Sequence, residues 1–272
     1  MKILFRLITS LAVIGGIASL VIMWREDDFI YYPEREWAVR PEHYGLAAQD
    51  LYVQTQDLEN LHAWFIRAPS EKAALLFFHG NAGNISHRIG KISPLIAAGA
   101  SVLLLDYRGY GKSSGHPSEE GLYRDAEAAY QELTVRQKIE PSKIFLFGES
   151  IGGAVAIDLA AQHPCAGVIL EGTFSSVKDM AAILMPFLPM HFILKSKYDS
   201  ISKIVGIKSP LLFIHGTDDE IVPYSQGQKL FAAATSPKEF YSIPGAGHND
   251  TYVRAGKTYF EKIIRFIEKN LK

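Results

Sequence analysis

Short buried-strand patterns alternate along this chain with segments of helical periodicity, and this alternation limits the possible folds more than any other feature. It is typical of a mostly parallel sheet with helices on both faces. We therefore expect an α/β fold with eight strands and with ligands at the carboxyl ends of those strands. The predicted strands are 47–55, 61–67, 75–79, 101–106, 143–147, 167–171, 210–215 and 239–243, and the predicted helices are 85–98, 118–137, 151–162, 224–234 and 251–271.

Ser150 lies in the pattern Gly-x-Ser-x-Gly at 148–152, between the strand predicted at 143–147 and the helix predicted at 151–162. A sharp strand-to-helix turn of this kind, called a nucleophile elbow, lifts a serine hydroxyl above the edge of the sheet. Small residues flank the serine because the backbone there is strained and closely approached by its neighbours. Ser150 is therefore the candidate nucleophile.

The same five-residue pattern occurs again at 111–115, with Ser113 at its centre. This copy also follows a predicted strand, but no helix begins at its serine. His116 and Pro117 direct the chain away from helical structure, and the next helix begins only near Ser118, a suitable N-cap residue. Ser113 is therefore expected to be a loop residue.

A serine hydroxyl becomes nucleophilic when a base takes its proton, and an acid must orient that base. In chains with a nucleophile elbow, the acid and then the base follow the serine, each after a strand. His248 lies in a glycine-rich loop after the strand predicted at 239–243 and is the candidate base. Asp218 and Asp219 both follow the strand predicted at 210–215, and only one of these neighbouring side chains can reach His248.

Other ionisable residues at strand ends are weaker candidates for these roles. Glu171 ends a predicted strand and is a rival acid. His215 comes before the candidate acid, which is the wrong order for the base. His79 ends the strand predicted at 75–79, and we expect it to be structural.

Negative charge that develops on a reacting carbonyl oxygen needs two preorganised backbone N–H donors, which form an oxyanion hole. Ile151 is expected to supply one, because it follows the nucleophile at the N-terminus of a helix, where the helix dipole also favours an anion. The second donor is expected from the glycine-rich loop 79–84, which we call the oxyanion loop. Within it, Asn81 follows His-Gly and is our candidate.

Motifs spread over most of the chain carry a resemblance to one known family. They are His79-Gly-Asn-Ala-Gly-Asn84, Asp106-Tyr-Arg-Gly-Tyr-Gly-Lys-Ser113, Gly148-Glu-Ser-Ile-Gly-Gly153, His215-Gly-Thr-Asp-Asp-Glu-Ile-Val-Pro223 and Gly247-His-Asn-Asp250. From about residue 29 onwards the chain resembles the α/β-hydrolase serine esterases. It is most similar to the small membrane-anchored α/β-hydrolase domain-containing proteins, a group that includes the fungal bud-emergence homologues.

This resemblance implies an α/β-hydrolase fold and a catalytic triad of Ser150, Asp219 and His248. The family's acid is the aspartate four residues after the strand-end histidine, with Val-Pro three residues further on, which selects Asp219 over Asp218. The family acts on several kinds of acyl substrate, so the resemblance leaves the substrate open.

The composition indicates one globular enzyme domain without a cofactor. With 272 residues, the chain is long enough for one large α/β core. A net charge of −1 gives no electrostatic reason to expect a nucleic-acid partner. Cys165 is the single cysteine, so neither an internal disulfide nor a cysteine metal cluster is possible, and the nine histidines lack ligand spacing. We expect no metal and no cofactor.

Residues 1–25 are expected to form a transmembrane anchor ahead of a hydrolase domain at 29–272. Lys2 and Arg6 precede an uncharged apolar run at 7–24, which as a helix would reach about 27 Å, close to the hydrocarbon thickness of a bilayer. The run is long for a cleaved signal peptide and has no Ala-x-Ala site, so an uncleaved single-pass anchor is expected. The basic residues favour a cytoplasmic N-terminus and a catalytic domain on the non-cytoplasmic side.

Residues 177–209 are expected to form either a crossover helix with a loop or a short cap over Ser150. The segment is rich in large apolar side chains, which in a cap could line a pocket for an acyl chain. The candidates for contact with the acyl chain are Leu184, Leu188 and Phe192.

The sequence thus predicts a membrane-anchored serine hydrolase that cleaves carboxylic esters or thioesters through an acyl-enzyme on Ser150. Its substrate would be a small molecule or an acyl group carried by a lipid or protein. A serine peptidase with the same triad is the alternative enzyme. A catalytically silent binding scaffold is the alternative from another class, and it would be favoured by a degenerate triad.

Overall fold

The computed structural model describes Arg6 and residues 24–184 and 194–271. In this part of the chain, eight strands form one sheet. They are β1 (Ala48–Gln54), β2 (Asn60–Ile66), β3 (Ala73–Phe78), β4 (Ala100–Leu105), β5 (Ile144–Glu149), β6 (Gly167–Glu171), β7 (Leu211–Gly216) and β8 (Lys238–Ile243).

The strand order across the sheet is β8-β7-β6-β5-β3-β4-β2-β1. Strand β2 runs antiparallel to both of its neighbours, and every other pair is parallel. The predicted mostly parallel sheet is therefore confirmed. Because β3 and β5 are central neighbours, the oxyanion loop and the turn that carries Ser150 leave the sheet side by side.

Helices precede, separate and follow these strands in sequence. They are α1 (Glu26–Ile30), α2 (Ile89–Ala97), α3 (Glu119–Gln131), α4 (Ile151–Gln162), α5 (Val177–Leu184), α6 (Ser200–Lys203), α7 (Tyr224–Ala233), α8 (Thr251–Ala255) and α9 (Lys257–Asn270).

Two hydrophobic cores lie on opposite faces of the sheet, as the alternation of side chains along a strand requires. In β3, Leu76 and Phe78 belong to one core, and Leu75 and Phe77 belong to the other. All four side chains are fully buried. Continuous apolar runs such as 73–78 are thus explained by burial on both faces.

Two of the predicted helices are interrupted. The helix predicted at 118–137 is α-helical only to Gln131 and continues as a π-helical turn over Glu132–Arg136. The helix predicted at 251–271 is broken at Gly256, whose φ of +56° is open to glycine but costly for other residues. Periodicity alone does not reveal either interruption, because the same face stays apolar on both sides of it.

The predicted anchor and the predicted cap lie largely outside the described residues. Among those described, no helix is both long enough and apolar enough to span a bilayer. Of the segment 177–209, the structure describes α5 and, from residue 194 onwards, an irregular stretch followed by α6. Leu188 and Phe192 lie outside the described residues.

Candidate active site

Ser150 occupies the turn between β5 and α4 with φ +52° and ψ −118°, a strained backbone conformation for a residue with a side chain. The turn is tight because Gly148 and Gly152 allow close backbone contact. A Cβ atom on Gly148 would lie 2.3 Å from the Gly152 carbonyl oxygen, and one on Gly152 would lie 2.2 Å from the Phe78 carbonyl oxygen. The Ser150 N–H donates to the Glu171 carbonyl at 2.8 Å, which ties the turn to β6.

Ser113, at the centre of the second Gly-x-Ser-x-Gly pattern, is 1% exposed. Its hydroxyl donates to the Asp106 carbonyl at 2.7 Å and accepts from the His62 N–H at 2.8 Å. A hydroxyl that is buried and bonded in this way cannot meet a substrate. The serines of the two copies therefore differ in their accessibility to a substrate as well as in backbone geometry.

His248 lies in the loop between β8 and α8, with its Nδ1 2.7 Å from Asp219 Oδ2. An ionised carboxylate only accepts hydrogen bonds, so Nδ1 carries the proton. In the neutral imidazole with this tautomer, Nε2 carries no proton and can act as a base. This is the tautomer that proton abstraction from a serine hydroxyl requires.

Asp219 is held rigidly in the loop after β7. Its Oδ1 accepts from the N–H groups of Ile221 at 3.0 Å and Val222 at 2.7 Å. Burial by itself would raise the pKa of this carboxyl group, but hydrogen bonds from His215 and His248 hold the pKa well below its usual range. Asp219 therefore stays ionised beside His248.

The neighbouring carboxylate does not take part in this arrangement. Asp218 is exposed, and its Oδ1 accepts from the hydroxyl of Thr217 at 2.8 Å. The structure thus places Asp219, and not Asp218, against His248. His215 lies behind Asp219 with its Nε2 2.9 Å from the Val222 carbonyl oxygen, in a structural position.

Gly172, which the sequence patterns did not single out, makes room for the histidine. Its φ is +54°, and a Cβ atom at this position would lie 3.0 Å from His248 Cε1 and 3.5 Å from Asp219 Oδ2. A side chain here would press on the imidazole. The glycine directly after β6 is the sequence signal that could have indicated it.

One candidate oxyanion donor follows Ser150 directly, and the other belongs to the oxyanion loop after the neighbouring strand β3. Ile151 is the first residue of α4, so its N–H has no acceptor within the helix. Within the part of the chain that the structure describes, neither the Ile151 N–H nor the Asn81 N–H donates to a protein acceptor. Both donors are therefore available to a ligand.

His79 fixes the direction of the Asn81 N–H. Its Nδ1 lies 2.7 Å from the Gly80 carbonyl oxygen and donates to it. That carbonyl belongs to the same peptide unit as the Asn81 N–H, and the two groups point in opposite directions in a trans peptide. Burial lowers the pKa of His79 to about 4, so the ring stays neutral and keeps this tautomer at neutral pH.

A cavity of about 260 Å³ opens beside the nucleophile and is lined in part by Gly80, Asn81, Ser150, Ile221 and His248. The candidate nucleophile, the candidate base and one candidate oxyanion donor thus face the same space. Such a cavity at the carboxyl ends of parallel strands is the usual location of a ligand site in this class of fold.

Charged side chains also line this cavity. Lys91 Nζ donates to Glu149 and, at 2.5 Å, to Glu171 Oε2. Glu149 also accepts from Arg88 Nε at 2.8 Å, and Glu171 accepts from Tyr259 at 2.6 Å. The rival acid Glu171 therefore binds Lys91 and not His248.

Sequence reasoning did not detect this charged cluster. Burial would lower the pKa of Lys91, but the charges of Glu149 and Glu171 raise it, so the ammonium stays charged. A lysine four residues before the buried Leu95, on the buried face of α2, is the signal that could have indicated it.

The remaining predicted substrate contact lies elsewhere. Leu184 ends α5 and is 57% exposed, and it does not line the cavity beside Ser150. The pocket for an acyl chain therefore stays a prediction. A larger, open depression of about 910 Å³ lies at the opposite, amino end of the strands, beside Cys165, Pro210 and Pro237.

Comparisons with known proteins place this geometry in a family. A family model described as "Serine aminopeptidase, S33" matches residues 69–202. "Alpha/beta hydrolase domain-containing protein WAV2" of Arabidopsis thaliana is 36% identical over 283 residues, which cover 94% of this chain and 91% of that protein. "Protein bem46" of Schizosaccharomyces pombe is 36% identical over 281 residues, which cover 94% of this chain and 93% of that protein.

Solved structures show the same fold. The Pyrococcus furiosus esterase Pf2001 superposes with a TM-score of 0.74 at 20% sequence identity, over 89% of this chain and 100% of that one. The predicted resemblance is confirmed by the relatives, and the predicted α/β-hydrolase fold is confirmed by this superposition. The chain is a member of the α/β-hydrolase family.

Proposed function

We propose that this chain is a serine hydrolase that cleaves carboxylic esters or thioesters through an acyl-enzyme intermediate on Ser150. The observation that carries the proposal is the hydrogen bond from His248 Nδ1 to the buried Asp219. His248 lines the same cavity as Ser150. The strained turn at Ser150 and the two available backbone donors support it.

In the acylation step, Ser150 Oγ attacks the carbonyl carbon and His248 Nε2 takes the hydroxyl proton. Asp219 stabilises the imidazolium that forms. The carbonyl oxygen becomes negative and accepts from the N–H groups of Ile151 and Asn81. His248 then gives its proton to the departing alcohol or thiol, and the acyl group stays on Ser150.

In the deacylation step, water takes the place of the leaving group. His248 removes a proton from the water, and the hydroxide attacks the acyl carbon. The same two N–H groups stabilise the second oxyanion, and Ser150 leaves as its proton returns from His248. The products are a carboxylic acid and the free enzyme.

A peptidase is the second candidate, because the matching family model is described as a serine aminopeptidase. Such an enzyme needs a carboxylate that is free to bind the substrate's amino terminus. The carboxylates that line the cavity belong to Glu149 and Glu171, and Lys91 binds both of them. This pairing favours an ester or thioester over a peptide.

We also propose that residues 1–25 anchor the protein in a membrane, with the catalytic domain on the non-cytoplasmic side. The uncharged run at 7–24 and the basic residues before it support this location. An anchored hydrolase of this kind would meet acyl substrates carried by lipids or by membrane-bound proteins.

The test is labelling with a fluorophosphonate together with an assay of acyl p-nitrophenyl esters, acyl thioesters and aminoacyl p-nitroanilides. We expect labelling and hydrolysis of esters or thioesters by the wild type. In Ser150→Ala both should disappear, with kcat about 10⁶-fold lower. Ser113→Ala is the matched control and should be labelled at the same serine as the wild type. Preferred cleavage of the anilides would favour the peptidase, and activity that survives in Ser150→Ala would refute the proposal.

A further inference from the structure

The segment that begins at the end of α1 is hydrogen-bonded to the oxyanion loop at several points. We call residues 30–36 the strap. The N–H of Tyr32 donates to the Asn81 carbonyl at 2.9 Å, and the N–H of Glu34 donates to the Gly83 carbonyl at 3.1 Å. The two segments thus form a short parallel ladder at the edge of the active site.

Two asparagine side chains of the oxyanion loop complete this contact. Asn81 Nδ2 donates to the Ile30 carbonyl at 3.0 Å. Asn84 is fully buried, and its Nδ2 donates to the carbonyls of Glu34 at 3.1 Å and Glu36 at 2.7 Å. Both side chains therefore use their amide donors on the strap.

The strap itself is fixed from behind by the loop after β4. The Gly111 N–H donates to the Glu34 carbonyl at 2.9 Å, and Arg35 Nη1 donates to the Ser113 carbonyl at 2.6 Å. The strap is thus held between the oxyanion loop and the loop after β4. A shift of the loop after β4 would therefore move the strap against the oxyanion loop. This also gives the buried Ser113 segment a role in supporting the site.

The oxyanion loop depends on these contacts because much of it lacks regular structure of its own. His79 orients the Gly80–Asn81 peptide from within the loop, whereas the carbonyls of Asn81 and Gly83 find their partners on the strap and on Tyr110. Backbone carbonyls without partners are costly when they are withdrawn from water. Without the strap, the Gly83 carbonyl would lose its bond from Glu34, and the Asn81 carbonyl would keep its bond from Tyr110 but lose the one from Tyr32.

We propose that the strap is a positioning element for catalysis, which holds the Asn81 N–H where the oxyanion forms. The proposal rests on the proposed function, because it concerns the oxyanion hole of that reaction. An oxyanion donor acts only when it is fixed in place beforehand, and removal of one typically lowers kcat by about 10²–10³-fold. Only α1 lies between the predicted anchor and the strap, so a segment close to the proposed membrane attachment would set the geometry of the active site.

The test compares three variants of the full-length chain in detergent. Asn84→Asp keeps the oxygen that accepts from Ser86 and removes both donors to the strap. Arg35→Met loosens the strap from the side remote from the oxyanion loop. Asn270→Asp is the matched control, because it removes one amide donor to a backbone carbonyl at the end of α9.

Activity is measured as kcat per active site titrated with a fluorophosphonate, so that unfolded protein does not count. We expect Asn84→Asp to lower kcat by about 10–10²-fold with KM within threefold, since the donor acts mainly on the transition state. A phenylboronic acid, which forms a tetrahedral adduct with the serine, should bind more weakly by a similar factor. Arg35→Met should show the same pattern with at least a threefold fall, and Asn270→Asp should stay within twofold of the wild type.

Three results would overturn the inference while leaving the proposed function standing. They are unchanged kcat in Asn84→Asp and Arg35→Met, an equal fall in Asn270→Asp, and a fall confined to Asn84→Asp, which would assign the effect to the loop alone. Wild-type protein that neither hydrolyses esters nor takes up the fluorophosphonate would overturn both.

Discussion

Among single residues, Asp218 and Asp219 show most clearly what spacing can and cannot decide. Both follow the same strand, and composition and order along the chain treat them alike. Burial separates them, because Asp219 is 8% exposed and bonded to His248, whereas Asp218 faces solvent. The choice between them required either the family resemblance or the structure.

The roles of the two aspartates can be separated by isosteric substitution. Asp219→Asn should lower kcat by about 10⁴-fold, because an amide at this position favours the wrong tautomer of His248. Asp218→Asn should leave kcat close to the wild-type value. Steady-state kinetics on a p-nitrophenyl ester measures both effects. Equal losses, or a larger loss at Asp218, would show that the acid has been assigned to the wrong residue.

His79 links the oxyanion loop to the pH dependence of stability. Its pKa in the folded chain is about 4, below the ordinary value of 6.5, because the ring is buried. Between pH 7 and pH 5 the unfolded chain takes up a proton here that the folded chain does not. The free energy of unfolding therefore falls by about 2 kcal/mol because of this residue as the pH is lowered from 7 to 5. Above pH 6.5 the ring is mostly neutral in both states, and the residue causes little loss of stability.

His79→Asn removes this titration and keeps a side-chain amide near the position of Nδ1. The stability advantage of the wild type over the variant should therefore shrink by about 2 kcal/mol from pH 7 to pH 5. Urea unfolding at the two pH values measures it. A difference in stability that does not vary with pH would contradict a buried neutral ring.

At the scale of elements, the sequence predicts what is repeated and regular. The central strands are predicted within about two residues at each end, because runs such as 73–78 are apolar on both faces. The strap could not be predicted, because the ladder pairs only two residues of each segment and leaves no periodic pattern. The Lys91 cluster joins residues from α2, β5 and β6, which are distant in sequence and meet only in the folded chain.

Gly172 is another position whose role depends on the meeting of two elements. Gly172→Ala should lower kcat by about tenfold or more with little change in KM, because the added Cβ would press on His248 and misalign it. The backbone strain of a positive φ must be distinguished from this contact. Gly45 has a φ of +68° with no atom within 4 Å of an added Cβ, so Gly45→Ala supplies the control.

Steady-state kinetics and urea unfolding of the two variants together distinguish the backbone strain from the contact with His248. Both variants should lose about 1 kcal/mol of stability from the strained backbone. Only Gly172→Ala should lose activity per folded molecule. Full activity in Gly172→Ala would show that His248 has freedom to move away, and that the close approach is not needed for catalysis.

At the scale of the whole molecule, the candidate active site and the strap lie at the same end of the sheet. Ser150, Asp219 and His248 follow β5, β7 and β8 at their carboxyl ends, and the strap meets the oxyanion loop after β3. The depression of about 910 Å³ lies at the opposite end and contains none of these residues. If residues 1–25 are an anchor, the chain that leaves it reaches the domain at the end of the sheet that carries the catalytic cavity.

The residues proposed for membrane attachment all precede Phe29, and the residues proposed for catalysis all follow it. A protein that starts at Phe29 keeps the strap and every candidate catalytic residue, and it lacks the apolar run. It should be soluble and should hydrolyse short p-nitrophenyl esters with a kcat within threefold of the full-length protein. Full-length protein should stay in the membrane fraction after washing with alkaline carbonate, because a helix of this length and apolarity inserts far more strongly than a peripheral contact. Release of the full-length protein by carbonate would refute the anchor. Loss of activity in the soluble protein would show that the strap needs the preceding residues to hold the oxyanion loop in place.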